Sequence, residues 1–190
     1  MLIAKTSQRR LDPREFIDVL ATIDLHPANP QECVSSREIA AELIGSVVAP
    51  PESFQRAQAH TGCSVFVSRH QGEVTGILGL LPLTPEGLAA VENHTFKSRN
   101  PPLELLCAPG EPFPGLYGWG FAARGRKASA LVVMGAIKIR EHLFDIPFFT
   151  RAATPAGVKV ICGRMGYAPF PGAPDDLLWN PVEKPQERAA

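Results

Sequence analysis

The chain has 190 residues, an apolar share of 45% and no net charge, with 19 cationic against 19 acidic residues. This length and composition predict one domain with a full core rather than a disordered chain. The charge balance argues against a dedicated nucleic-acid-binding protein, which needs a basic excess. The longest apolar runs, residues 76–82 and 128–137, fall short of the roughly 20 residues that span a bilayer, so we expect no membrane partner.

Cysteine spacing and the N-terminus indicate the compartment. Cys33, Cys63, Cys107 and Cys162 lie far apart without a C-x-x-C pair, so zinc spacings are absent and we expect no metal site. The spacing does not exclude disulfide bonds, although a core of this size does not need them for stability. The first ten residues hold only a short apolar run before polar side chains. We therefore expect no signal peptide and a soluble cytoplasmic protein.

Capping signals predict three helices in the N-terminal third. Asp12 as N-cap and Pro13 at the first helical position predict the first helix. Residues 35–38 form a second predicted capping box, which places the start of the next helix at Ser35. A weaker helical pattern covers residues 52–60.

The pattern then changes to the period of strands. Residues 63–68 and 74–81 are β-rich and joined by a polar turn, which predicts a hairpin. The second run is apolar on both faces, so we place it centrally in a sheet. A variable stretch, residues 82–114, contains a predicted short helix (85–91) and a predicted strand (103–107).

The most informative stretch runs from Gly115 to Gly166. A strand (116–122), a basic loop and a helix of about eighteen residues are followed by a second strand (146–153) and a second helix that starts at Thr154. Strand–helix–strand units pair in parallel and hairpins pair antiparallel. The predicted fold class is therefore α/β with a mixed sheet and helices on both faces.

The basic loop in this stretch is a candidate anion site. Arg124, Arg126 and Lys127 place positive charge where a helix N-terminus presents free backbone N–H groups. The alternative is a solvated basic turn. We predict that the phosphate end of a ligand binds at residues 124–129.

Three segments carry a resemblance to a known family. Residues 72–76 read Gly-Glu-Val-Thr-Gly, residues 124–129 form the basic loop, and residues 154–167 form a helix that closes on Gly-Tyr. At these positions the chain resembles the GNAT superfamily of acyl-CoA-dependent N-acyltransferases, over roughly residues 60–180. The resemblance implies a GNAT-type, mixed, mostly antiparallel central sheet flanked by helices on both faces.

The resemblance also implies the domain organisation. A single domain is expected over residues 1–181, followed by a flexible tail at residues 182–190. Its expected parts are an N-terminal helical part (1–60), the hairpin (61–81), a variable insertion (82–114) and a cofactor-binding half (115–181).

A donor and its binding residues follow from the same resemblance. It implies acetyl-CoA or another acyl-CoA as donor, and an amine of a small molecule or peptide as acceptor. A homodimer is compatible with the resemblance, and composition leads us to expect no nucleic acid or membrane partner. The glycines at 118 and 120 are implied to expose strand backbone to the pantetheine arm, although Tyr117 and Trp119 more simply pack. The implied cofactor-binding residues are Phe121, Ala122, Ala123, Arg124, Gly125, Arg126, Lys127, Ala128 and Ser129.

The candidate catalytic residues are His94, Glu104 and Cys162. His94 in the insertion is a candidate general base, and Glu104 is a second candidate because it precedes the strand that faces the substrate in the family. Cys162 stands where many members carry a tyrosine that protonates the leaving thiolate, whereas a buried cysteine is more often only small and apolar. Lys127 replaces a glycine of the family's loop. These departures leave open a second function class, a catalytically degenerate GNAT-like domain that serves as a binding or structural module.

Overall fold

The structure, a computed structural model, describes residues 9–45, 48–173 and 176–182. Its helices are α1 (Pro13–Ala21), α2 (Pro30–Ile44), α3 (Pro51–Thr61), α4 (Pro85–Glu92), α5 (Gly125–His142) and α6 (Pro155–Met165). Its strands are β1 (His26–Pro27), β2 (Val65–His70), β3 (Glu73–Leu83), β4 (Gly115–Ala123), β5 (Phe148–Arg151), β6 (Ala168–Pro169) and β7 (Leu177–Asn180). The predicted tail after residue 182 lies outside the described residues.

The strands form one seven-stranded sheet in the order β1-β2-β3-β4-β5-β7-β6. Among the described strands, β4 and β5 are the parallel pair and the other neighbours are antiparallel. None of the described helices combines the length and hydropathy needed to cross a bilayer. The β4–α5–β5 crossover confirms the predicted strand–helix–strand unit, and β2–β3 confirms the predicted hairpin.

Helices cover both faces of the sheet. Leu78 of β3 and Leu116 of β4 pack with α1, α5 and α6 on one face. Val65 of β2 and Ile77 of β3 pack with α2 and α3 on the other. Adjacent residues of one strand point to opposite faces, so β2, β3 and β4 contribute to both cores. The predicted α/β class, with a mixed, mostly antiparallel sheet between two helical layers, is confirmed.

Helix α2 begins earlier than predicted. Its N-cap is Asn29, whose side chain accepts from the Glu32 N–H while the Glu32 carboxylate accepts from the Asn29 N–H. This capping box and Pro30 at the first helical position place the start five residues before Ser35, where we predicted it. Glu32 also pairs with Arg69 of β2 at 2.6 Å, which ties α2 to the sheet and holds the pKa of Glu32 below its usual range.

Three short elements differ from the sequence predictions. The predicted strand at residues 103–107 is wrong, because the chain forms a 3-10 turn at Leu103–Leu105 and touches the sheet through one bridge between Leu106 and Leu83. Strand β1 was not predicted, because a two-residue element that ends in proline has no alternating pattern. The second predicted strand of the crossover is shorter than expected and spans Phe148–Arg151. Helix α6 agrees with the sequence prediction, since Thr154 is its N-cap and Gly166 is its C-cap in the left-handed conformation at φ 71°.

Candidate functional site

Strands β4 and β5 separate after a short paired segment. Beyond Gly118, β4 continues to Ala123, whereas the chain after Arg151 leaves the sheet and enters α6. From Trp119 onward, no described residue pairs as a strand with the edge of β4 that faces β5. The paired positions are Leu116 with Phe148, Tyr117 with Phe149, and Gly118 with Thr150.

A β-bulge in β4 lies at the same point. Gly79 of β3 pairs with Gly120, whereas the next residue, Leu80, pairs with Gly118. Trp119 is therefore an extra residue on β4. Bulges of this kind interrupt the ladder, leave backbone groups unpaired and are over-represented beside active sites.

The separation of β4 from β5 opens a cavity of about 580 Å³, which we call the sheet cleft. It passes between the strands, so α2 lines it on one face of the sheet and α5 and α6 line it on the other. The unpaired edge of β4 runs along it. Apolar walls beside a free strand edge suit an extended ligand with amide groups. Its walls include Phe121, Ala122, Ser129, Val132, Ala156 and Val160.

Helix α5 begins at the sheet cleft without a side-chain cap. Its N-cap residue, Arg124, makes no capping hydrogen bond, whereas Asp12, Thr84 and Thr154 cap α1, α4 and α6. Arg126 and Lys127 in its first turn are exposed and pair with no described residue. Cations at a helix N-terminus oppose the helix dipole. An anion at this position would satisfy the free N–H groups and both side chains.

Arg124 is held by protein contacts instead. Its Nε lies 3.1 Å from Oε2 of Glu42 on α2, and its backbone N–H donates to the Thr75 carbonyl at 2.8 Å. Arg124 thus ties α2 to the start of α5. Of the predicted cationic contacts, Arg126 and Lys127 are the two whose side chains have no described partner, and the cofactor contacts of residues 121–129 stay predictions.

A second cavity of about 950 Å³, which we call the basic cavity, opens on the α2 and α3 face. It lies between α2, the start of α3 and residues 94–100. It joins the sheet cleft, because both cavities are lined by Val48, Ser98, Arg99 and Arg151. Sequence reasoning missed this cavity, since its cationic residues come from four separate segments and share no local motif.

Aromatic side chains fix the wall between the two cavities. The Trp119 ring stacks on Phe54 of α3 with centroids 4.5 Å apart, and its Nε1–H donates to the Ser98 carbonyl at 2.6 Å. Tyr117 packs against Phe96 at 5.3 Å. Tyr117 and Trp119 therefore both pack, as expected from the sequence.

The three predicted catalytic residues do not come together. His94 lines the basic cavity, with its ring edge-on to Phe170 at 6.0 Å. Glu104 is exposed on the 3-10 turn, and Cys162 is half-buried against the core on α6. Neither lines the sheet cleft or the basic cavity. The roles of all three stay predictions.

Arg151 was not among the predicted residues and lies where the cavities meet. Its guanidinium donates to the Tyr117 hydroxyl at 3.2 Å. The two residues come together through the β4–β5 register, because Tyr117 pairs with Phe149, two residues before Arg151. No signal in the linear sequence predicts that pairing.

The sequence matches no protein-family model, and no curated protein is similar to it. Its structure is similar to that of Ard1 from Thermoplasma volcanium, with 14% identity, a TM-score of 0.51 and coverage of 84% of this chain and 97% of the other. An N-acetyltransferase from Staphylococcus aureus Mu50 matches with 13% identity, a TM-score of 0.49 and coverage of 82% and 96%. A further acetyltransferase structure matches with 13% identity, a TM-score of 0.49 and coverage of 84% and 99%.

At these identities the likeness extends to the fold alone. The fold agrees with the sequence resemblance in the split parallel pair β4–β5, the mostly antiparallel sheet around it and the helices on both faces. The chain has a GNAT-type fold.

Proposed function

We propose that the protein is an acyl-CoA-dependent N-acyltransferase, which moves an acetyl or other acyl group from CoA to an amine. The sheet cleft is the observation that supports this most. Its free β4 edge can pair with the amides of a pantetheine arm as an added strand would. The uncapped N-terminus of α5 at the same cleft suits a pyrophosphate. One groove therefore offers both contacts that a CoA thioester needs.

The proposed reaction asks mainly for positioning. The amine nitrogen attacks the thioester carbonyl carbon, a C–N bond forms, and the C–S bond breaks with its electron pair on sulfur. The nitrogen loses one proton and the thiolate gains one, so the products are an amide and free CoA. Backbone N–H groups freed by the bulge at Trp119 are candidate donors to the thioester oxygen. We propose His94, directly or through water, as the base.

A second function is favoured by three other positions. Cys162 and Glu104 line neither cavity, and Lys127 stands where the family has a glycine. A domain that binds acyl-CoA without transferring the acyl group would carry these features. Binding and transfer therefore need separate measurements.

Thermal unfolding with acetyl-CoA and longer acyl-CoAs, followed by a thiol-release assay, makes that separation. A ligand that binds the folded state alone raises the unfolding temperature with its concentration, so we expect a rise with acyl-CoA. We then expect free thiol to appear faster when an acceptor amine is added. A thermal shift without amine-dependent thiol release would support the binding module, and no shift would contradict both functions.

Reversing the charge of Arg126 and Lys127 together should weaken CoA binding. Both side chains are exposed and unpaired in the described structure, so Arg126→Glu with Lys127→Glu removes no internal contact. The loss should be at least about tenfold, or about 1.4 kcal/mol, and larger at low salt because the contact is electrostatic.

The control carries the same change in net charge elsewhere. Arg14→Glu with Lys159→Glu alters two exposed residues that lie on α1 and α6 rather than in the first turn of α5, and we expect CoA affinity close to that of the unmodified protein. Calorimetric titration at two salt concentrations measures both variants. Equal affinities for the two double variants would place the phosphates away from α5.

A further inference from the structure

The basic cavity carries a charge that the chain as a whole lacks. The chain has 19 cationic and 19 acidic residues, yet among the described residues that line this cavity Glu52 is the one carboxylate. Clefts lined by one sign of charge concentrate ions of the opposite sign. The cationic lining residues are Arg37, Arg56, Lys97, Arg99 and Arg151.

Most of these cations lack an acidic partner. Arg69, by contrast, pairs with the Glu32 carboxylate. The unpaired cations of the basic cavity, to which no described residue offers an ion pair or side-chain hydrogen bond, are Arg37, Arg56, Lys97 and Arg99. Arg56, Lys97 and Arg99 are exposed to solvent and Arg37 is half-buried, and an anionic ligand would offset the repulsion among these like charges.

Arg37 gives the second, independent observation. Its Nε is buried from solvent, and no described residue accepts a hydrogen bond from it. A buried N–H without an acceptor is costly, because it has lost water and gained nothing in exchange. Nearly all such groups in folded proteins find a partner. An anionic group in the basic cavity would supply the missing acceptor.

The segment that presents Arg99 is held at both sides. The Ser98 carbonyl accepts from the Trp119 indole at 2.6 Å, and the Asn100 side chain accepts from the Ser53 hydroxyl at 3.0 Å. Arg99 therefore projects from a backbone whose position is fixed relative to β4 and α3. Prearranged charges of this kind bind a ligand at a lower entropic cost than mobile surface charges.

Two of the cations also lie beside the sheet cleft, where we propose that the acyl transfer takes place. Arg99 and Arg151 line both cavities, and Arg151 contacts Tyr117, two residues before the bulge at Trp119. A ligand whose anionic group lies in the basic cavity can therefore extend an amine into the sheet cleft. The cavity of about 950 Å³ has the size of a small-molecule site.

We propose that the acceptor is a small-molecule amine that carries a carboxylate or a phosphate, bound by Arg37 and Arg99 in the basic cavity. This inference rests on the proposed acyl transfer. The amine forms the new C–N bond as the C–S bond of the thioester breaks, its proton passes through the base to the thiolate, and the anionic group stays bound and unchanged. Arginine suits this role because its planar fork matches both anions.

Matched acceptor pairs test the inference by kinetics. The probes are 4-aminobutyrate against 4-aminobutyramide, and O-phosphoethanolamine against ethanolamine, each with acetyl-CoA. We expect at least one anionic member to have a kcat/KM more than about tenfold above that of its neutral partner. The pair that shows the preference identifies the anionic group of the acceptor as a carboxylate or a phosphate.

Variants connect that preference to the two arginines. Arg37→Ala with Arg99→Ala should raise KM for the anionic amine about tenfold or more, change KM for the neutral amine much less, and so abolish the preference for the anionic amine. Arg99→Lys alone should retain part of it, because a point charge remains. Arg14→Ala, an exposed arginine of α1 that lines neither cavity, is the control and should leave both KM values unchanged.

A binding measurement keeps the inference separate from the proposed function. Inorganic phosphate is titrated into the Arg126→Glu and Lys127→Glu protein, whose α5 site is weakened, and thermal unfolding is followed. We expect phosphate to stabilise this protein, and the further substitutions Arg37→Ala and Arg99→Ala to remove the stabilisation. This result would support an anion-binding site at Arg37 and Arg99 even if no acyl-CoA binds and the proposed transfer is wrong.

Three results would overturn the inference. One is equal kcat/KM for anionic and neutral amines in active enzyme, which would leave the proposed transfer intact. Another is phosphate stabilisation that survives loss of both arginines, or that is absent from the start. The third is preferential acylation of a peptide amine over all four small amines.

Discussion

Replacing Ala156 by tryptophan is expected to abolish acyl-CoA binding while the protein stays folded. Ala156 lies in the first turn of α6, is exposed, and lines the sheet cleft opposite the free edge of β4. An indole there would occupy the space that we assign to the pantetheine arm, without entering the packed core. We expect affinity to fall by about 100-fold or more, or about 2.7 kcal/mol, in a calorimetric titration.

Val158 of the same helix supplies the control. It is 42% exposed and lines neither cavity, so Val158→Trp adds the same ring to α6 outside the cleft. We expect CoA affinity to stay within a factor of two or so and unfolding temperatures of the two variants to be similar, since exposed substitutions usually change stability by less than about 0.5 kcal/mol. Equal loss in both variants would mean that α6 acts through its packing and not through the cleft.

The largest stability effect is expected for Gly87→Ala. A Cβ at Gly87 in α4 would lie 2.1 Å from the Leu105 carbonyl oxygen of the 3-10 turn. Neither side can yield easily, because the Gly87 N–H donates to the Thr84 hydroxyl at 3.1 Å and the Leu105 carbonyl accepts from the Thr84 N–H at 3.1 Å. We expect a loss of about 3 kcal/mol in the free energy of unfolding, measured by urea denaturation.

Gly163→Ala is the control that separates the effect of this clash on stability from the effect of helix propensity. It lies inside α6, and a Cβ there would meet nothing within 4 Å. Gly163→Ala should therefore stabilise the protein, by up to about 1 kcal/mol, because alanine is the better helix former. If Gly87→Ala proved as stable as Gly163→Ala, the close contact between α4 and the 3-10 turn would be wrong, and with it the placement of the neighbouring residues 94–100.

The sequence predicted those parts of the fold whose causes are local. Asp12, Thr154 and Gly166 act on the turn in which they stand, so the ends of α1 and α6 could be read from single residues. The start of α2 was placed wrongly because two capping signals competed, and the box at Asn29 and Glu32 won. A local rule cannot rank two such signals, since packing decides between them.

The candidate site likewise has one part that the local sequence predicts and other parts that depend on tertiary packing. The uncapped start of α5 was predictable, because a strand, a basic loop and a helix follow one another in the chain. The basic cavity was not, since Arg37, Arg56, Arg99 and Arg151 meet only through the packing of α2, α3 and residues 94–100 on the sheet. The bulge at Trp119 was likewise invisible, because it depends on the register between β3 and β4.

The central claim is that acyl-CoA binds in the sheet cleft between β4 and β5. A crystal structure of the protein with CoA tests it most directly, because the phosphorus and sulfur atoms mark both ends of the ligand. We predict the pyrophosphate at the first turn of α5, beside Arg126 and Lys127, the pantetheine amides on the β4 edge beyond Gly118, and the sulfur near the bulge at Trp119. Density for CoA outside the cleft, or an empty cleft at saturating CoA, would contradict the account.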